Sequence, residues 1–176
     1  MNKTKLFGAM LLTLGMTANA LADNGFYGGA SIGQATIDAC DGVTNCDDED
    51  TGWKIFGGWE LNPNVAFEAG FVDFGEISGS IGGTSVSAEA DGWTLAAKGT
   101  WPVNEQFGVF GKFGAIMWDV EGGGAAAGVS DDGTDLLYGL GAQYMFTDQF
   151  GLVGEWEWYD IDSDVDLFSV GLLFKF

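Results

Sequence analysis

Large apolar residues alternate with small or charged ones along most of the chain, and outside the N-terminal segment no stretch shows the apolar spacing of an amphipathic helix. The period of two predicts eight strands: Phe26 to Ile37, Gly52 to Leu61, Asn64 to Phe74, Gly92 to Trp101, Phe107 to Val120, Leu136 to Phe146, Phe150 to Tyr159 and Leu167 to Phe176. Trp53, Ile55, Gly57 and Trp59 share one face of the second strand, Val65, Phe67, Ala69 and Phe71 one of the third, and Trp93, Leu95, Ala97 and Trp101 one of the fourth. The last two strands repeat the pattern with Phe150, Leu152, Trp156 and Trp158, then Phe168, Val170, Leu172, Phe174 and Phe176. This face is a hydrocarbon surface. Its rings gather towards strand ends, as amphipathic side chains do at two membrane interfaces.

The opposite parity holds Lys54, Lys98, Lys112 and Lys175 together with Glu60, Glu68, Glu155 and Glu157. Enclosed in a lumen, these four cations and four anions are expected to pair, because an unpaired buried ion costs several kcal/mol. The competing reading makes them the solvated face of a soluble sheet. It leaves in water an aromatic face much larger than the roughly few hundred Å² that soluble monomers expose.

The connections alternate in kind. Those around Asn62-Pro63-Asn64, Pro102 to Gln106 and Thr147-Asp148-Gln149 are short, whereas Asp38 to Thr51, Gly75 to Asp91, Glu121 to Asp135 and Asp160 to Asp166 are longer, acidic and glycine-rich. Two different ends follow, and the pattern is that of an eight-stranded antiparallel up-and-down transmembrane β-barrel with short turns in the periplasm. Such a barrel has an interior that side chains just fill, which excludes bulk porin activity. A narrow passage for small or hydrophobic solutes is the alternative, suggested by the lumenal glycines Gly58, Gly70, Gly114 and Gly171.

The N-terminal segment supports export. Lys3 and Lys5 precede an apolar run from Leu6 to Met16 and the small-residue sites of Ala18-Asn19-Ala20-Leu21-Ala22, a signal peptide over residues 1–22 that leaves a barrel domain over 23–176. That run is too short to cross a bilayer as a helix. In an oxidising compartment Cys40 and Cys46 most simply form a loop disulfide, the alternative being two unpaired thiols.

Charge narrows the function further. The 176 residues carry 26 Asp and Glu against 6 Lys or Arg, all of them Lys, with no His, for a formal charge of −20. So acidic a chain does not bind nucleic acid, whose phosphates need cations. Without His it lacks the usual general base, so no enzyme and no cofactor is expected. Ser78, Ser80, Ser85 and Ser87 read as flexible filler beside Gly79, Gly82 and Gly83. Of the 26 acids, four are lumenal, Glu105 and Asp148 lie in short turns and Asp23 begins the mature chain, leaving nineteen in or beside the long connections. Asp160, Asp162, Asp164 and Asp166, like Asp47, Asp48, Glu49 and Asp50, offer hard oxygen ligands but lack the glycine and glutamate of an EF-hand loop. Diffuse divalent bridging to the phosphates of outer-membrane lipid and lipopolysaccharide is expected instead of a discrete metal site. The protein is expected to be monomeric.

These features resemble the small OmpA-like outer-membrane barrels. The resemblance runs through Phe26-Tyr27-Gly28-Gly29-Ala30, Phe56-Gly57-Gly58-Trp59-Glu60-Leu61-Asn62-Pro63, Phe67-Glu68-Ala69-Gly70-Phe71, Leu95-Ala96-Ala97-Lys98-Gly99, Gly141-Ala142-Gln143-Tyr144 and Ser169-Val170-Gly171-Leu172-Leu173-Phe174-Lys175-Phe176. It implies a Gram-negative outer-membrane location, and it implies that the terminal Phe176 is the assembly signal read by the insertion machinery. It also implies an ionic network with Glu68 and Lys98 at two of its positions. Gln143 and Val153 stand where many relatives carry Glu and Arg, so gating by those exchanges is not carried over. The sequence ends at Phe176 without the family's peptidoglycan-binding domain, so cell-wall tethering is not carried over either.

Overall fold

The computed structural model describes residues 25–37, 44–47, 49–81, 84–124, 127–128, 130–161 and 165–176. The signal segment and Cys40 lie outside the described residues, and with Cys40 so does the expected disulfide to Cys46. Among the described residues there are nine strands: β1 (Phe26–Ile37), β2 (Thr44–Asp47), β3 (Glu49–Asn62), β4 (Val65–Ile81), β5 (Thr84–Pro102), β6 (Phe107–Gly124), β7 (Ser130–Met145), β8 (Phe150–Tyr159) and β9 (Val165–Lys175). Eight of them, all but β2, pair antiparallel with their chain neighbours, and β1 pairs with both β3 and β9, so the sheet closes on itself. Closure removes every edge within the bilayer, as a spanning sheet requires.

The stagger of the closed sheet follows from the register. A row of partners leaving Ile32 through Trp53, Asp73 and Asp91 arrives at Asp119 on β6. The row leaving Ile32 the other way, through Val170, Gly154 and Ala142, arrives at Val109, ten residues lower on the same strand. The strands are therefore tilted, and alternate side chains point into a narrow lumen.

Local chemistry fixes the short turns. Asn104 Oδ1 accepts from the N–H groups of Gln106 and Phe107, Asn62 Oδ1 accepts from Asn64 N–H across Pro63, and Thr147 Oγ1 accepts from Phe150 N–H. Asx and hydroxyl turns of this kind satisfy backbone donors where the ladder stops.

Strand lengths divide the barrel into two parts. β8, β9 and β1 have 10, 11 and 12 residues, close to the roughly 9–11 that cross a bilayer. β4 to β7 have 17, 19, 18 and 16, and continue beyond the long-loop end as a four-stranded wall. This corrects the expected loops at 75–91 and 121–135. Most of both are strand, paired from Glu76↔Glu89 to Ile81↔Thr84 and from Val86↔Gly124 to Asp91↔Asp119. The apolar alternation stops there because neither face meets hydrocarbon, while the backbone ladder goes on. The expectation that Ser78, Ser80, Ser85 and Ser87 are loop filler fails for the same reason, since Ser78 pairs with Ser87 and Ser80 with Ser85. The short β2, unforeseen in the first long connection, pairs with the outer edge of β4 at Ser78 and Ser80.

Candidate functional site

Each lumenal ion sits on the inward parity of its strand. β3 brings Lys54 and Glu60, β4 Glu68, β5 Lys98, β6 Lys112, β8 Glu155 and Glu157, and β9 Lys175. Outward positions of β5, β6, β7 and β9 carry Trp101, Phe113, Leu140 and Leu172, all more than 60% exposed, which is the belt that meets lipid.

Lys112 is the centre of the network. Its Nζ donates to Glu68 and to Glu155 at 2.5 Å each and lies 3.6 Å from Glu157. Lys54 Nζ donates to Glu155 and, at 2.5 Å, to Glu157. Two tyrosines complete the carboxylates, with Tyr27 Oη donating to Glu68 at 2.8 Å and Tyr159 Oη to Glu157 at 3.1 Å. All of these groups are buried. With Lys98 included, three cations face three anions, so the layer is neutral and its lone pairs are used, the condition under which buried charge is tolerated.

Lys98 is held differently. Its Nζ is 4.0 Å from Glu68, donates to Gln143 Oε1 at 3.2 Å, and lies over the Phe110 ring at 4.1 Å and the Tyr27 ring at 5.1 Å. Cation–π contact replaces most of the direct pairing here. Lys175 and Glu60 form a partly exposed pair at 2.7 Å near the short-turn end. There a mouth of about 290 Å³ is lined by Glu60, Thr100, Gln106, Gln143 and Lys175.

Apolar layers lie above and below the ions. Towards the short turns are Tyr27, Phe56, Phe110, Val153 and Leu173. Towards the long loops are Val72, Phe74, Ile116, Trp118, Leu137, Tyr159 and Leu167, with Phe74 packed edge-on against Tyr159 at 4.8 Å. Glycines seat the rings: a Cβ on Gly58 would strike Tyr27, on Gly29 Phe56, on Gly141 Phe110 and on Gly133 Trp118, each the direct partner on the adjacent strand. Gly58 is thus covered by a ring, and Gly114 and Gly171 lie against backbone of the neighbouring strands. Composition shows the glycines, but only the register shows what covers them. The sequence reading missed Tyr27, Tyr159 and Gln143 as partners of the network, although Tyr159 shares the parity of Glu155 and Glu157.

Outside, the picture inverts. Asp73, Asp91, Asp119 and Asp132 are direct neighbours across β4 to β7, and Glu76, Glu89 and Glu121 form the next row. Glu76, Glu89, Asp91, Glu121 and Asp132, expected in the long connections, are strand residues. Burial first, then Asp119, Asp73, Glu121 and Glu89, push the Asp91 carboxyl up from its ordinary range. Asp50 instead accepts from the backbone N–H groups of Glu76 and Thr51 at 2.7 Å, which hold its carboxyl low, and Glu49 accepts from Gln34 at 2.6 Å. Gly75, at φ +82°, makes the bulge that brings Glu76 N–H to Asp50. Asp162 and Asp164, and the side chains of Asp47 and Asp48, lie outside the described residues. At the other end, Phe176 donates its N–H to Phe26 O at 3.0 Å and packs on Phe174 at 5.0 Å, closing the seam between β9 and β1.

Comparison with known proteins agrees with this architecture. The OmpA-like transmembrane domain family matches residues 21–166. Outer membrane protein A of Salmonella typhi is 27% identical over 173 residues, covering 88% of this chain and 49% of that protein. The chain thus spans about half the length of the curated relatives it matches. Among solved structures, Neisserial surface protein A superposes with a TM-score of 0.66 at 14% identity, covering 86% of this chain and 97% of that one. Ail, the attachment invasion locus protein of Yersinia pestis, gives 0.58 at 19% identity, covering 87% and 99%. The chain belongs to the OmpA-like transmembrane domain family, an eight-stranded barrel of the Gram-negative outer membrane.

Proposed function

We propose that the barrel is a non-enzymatic scaffold with a sealed lumen, holding an acidic wall and loops outside the cell for structural and surface-interaction roles. The observation that carries this reading is the stack of layers across the lumen, apolar, ionic and apolar, with Lys112 bonded to carboxylates from two strands. Moving an ion through it requires parting a neutral, desolvated network, which costs several kcal/mol. Ring-covered glycines weigh against the narrow-passage alternative. Lipid and lipopolysaccharide of the outer membrane are its surroundings in this reading, and the Phe176 strand is the segment the insertion machinery engages. Planar-bilayer recording of the refolded protein tests the seal. Small or absent conductance is expected, and stable, large, porin-like openings would overturn it.

A further inference from the structure

A closed barrel has no free strand edge in the membrane, yet the wall above it creates two. The β4 edge is covered. β2 pairs with it at Ser78 and Ser80, and Asp50 of β3 accepts from Glu76 N–H below. The β7 edge differs. β7 pairs with β6 up to Ser130, but its pairing with β8 starts only at Leu137, and the last bond on that side runs from Asp160 N–H to Leu136 O. Among the described residues nothing pairs with this side of β7 between Ser130 and Asp135.

Backbone groups of successive residues point to opposite sides of a strand. Because Leu136 O faces β8, the N–H and C=O groups of Thr134 and Asp132 face the open side, as does the C=O of Ser130. Asp132 N–H is met only by the neighbouring Asp131 Oδ1 at 3.0 Å, a local contact that an incoming carbonyl can replace. This edge, unpaired among the described residues, is about 20 Å long at roughly 3.3 Å per residue. Acids flank it on both faces, Asp132 and Asp119 outward, Asp131 and Asp135 on the other side, and among the described residues every lysine is in the lumen or its mouth.

We propose that the edge of β7 from Ser130 to Asp135 docks an extended, lysine- or arginine-bearing segment of another protein, which adds a strand to the wall. Main-chain bonds supply the register, and alternate cationic side chains meet acids on either face. A second copy of this chain is a poor occupant because it brings the same acids to the contact. The inference rests on the reading above that the wall stands outside the outer leaflet.

The test uses the refolded protein in zwitterionic nanodiscs and three eight-residue peptides: alternating Lys and Thr, its fully N-methylated copy, and a version with Glu for Lys. The Lys/Thr peptide is expected to bind at least about tenfold more tightly than either control and to protect the Asp132 and Thr134 amides from hydrogen exchange. Thr134→Pro removes an edge N–H without touching the β6 ladder, a substitution edge strands accept, and should weaken binding about tenfold while the barrel stays heat-modifiable. Equal binding of the N-methylated peptide, or unprotected Asp132 and Thr134 amides, overturns the proposal and leaves diffuse attraction. The bilayer recordings test the sealed lumen separately, so that reading survives a failure here.

Discussion

Glu68 and Asp91 lie on neighbouring strands, one facing into the barrel and the other away from it. Glu68 takes Lys112 at 2.5 Å and the Tyr27 hydroxyl at 2.8 Å, whereas Asp91 has Asp73 and Asp119 as its direct cross-strand partners. Lys54, Lys98, Lys112 and Lys175, the four lysines among the described residues, are spent on the lumen and its mouth. The difference shows where this sequence needs charge balance. Inside, water is excluded and an unmatched ion is intolerable, so each carboxylate is matched. Outside, the dielectric of water weakens the repulsion between close acids and salt screens it beyond about 8 Å, so a row of acids is merely unfavourable.

Removing the centre of the matched region should therefore have the largest effect. Lys112→Met takes from Glu68 its closest cation and from Glu155 one of its two lysine partners, and is expected to cost about 3–5 kcal/mol. Urea unfolding in micelles, followed by the gel shift between folded and boiled forms, measures it. Adding Glu155→Gln should recover part of the loss by removing one uncompensated charge, and a double variant no better than Lys112→Met would argue against electrostatic matching.

Lys98→Met should cost less, about 1–3 kcal/mol, because it forfeits one bond to Gln143 and ring contacts while Glu68 keeps Lys112 and Tyr27. The ranking of the two lysines is the informative result. If Lys98→Met unfolds at lower urea than Lys112→Met, the network is centred elsewhere than the geometry indicates.

How much of this was legible in the sequence depends on what each property needs. Parity alone separated Lys54, Glu68, Lys98, Lys112, Glu155 and Glu157 from the lipid-facing rings, because hydrocarbon on one side makes the alternation strong. The period of two gave the eight barrel strands, and the sorted loop lengths gave the two ends. Partners within the lumen were not legible, since which lysine meets which glutamate depends on a ten-residue stagger that no single strand encodes. Nor was the wall, because Glu76, Glu89 and Glu121 alternate with Ile77, Ala88, Val120 and Gly122, a pattern too weakly apolar to distinguish strand from acidic loop. The β2 pairing and the ring-covered glycines depend on register in the same way.

The smallest effect is expected in the unmatched region, and its sign is opposite. Asp91→Asn removes a carboxylate from between Asp73 and Asp119, where like charges directly opposite cost roughly 0.2–1 kcal/mol, so the variant should make the wall more stable at pH 7. The pH dependence follows from linkage. Burial and the acids around it raise the Asp91 carboxyl above its ordinary value of 3.8, so the folded wall binds this proton more readily than the unfolded chain does. Its unfavourable contribution is present above the raised value, is relieved as pH falls through it, and is gone below 3.8. Protection factors of the β5 and β6 amides around Asp91 and Asp119, measured by hydrogen exchange at pH 7 and close to pH 3.8, report the local opening free energy. Wild type should gain protection on acidification, and Asp91→Asn should start higher and change less. If the two proteins respond alike, the acids of the wall do not feel one another, and its charge is set by solvent alone.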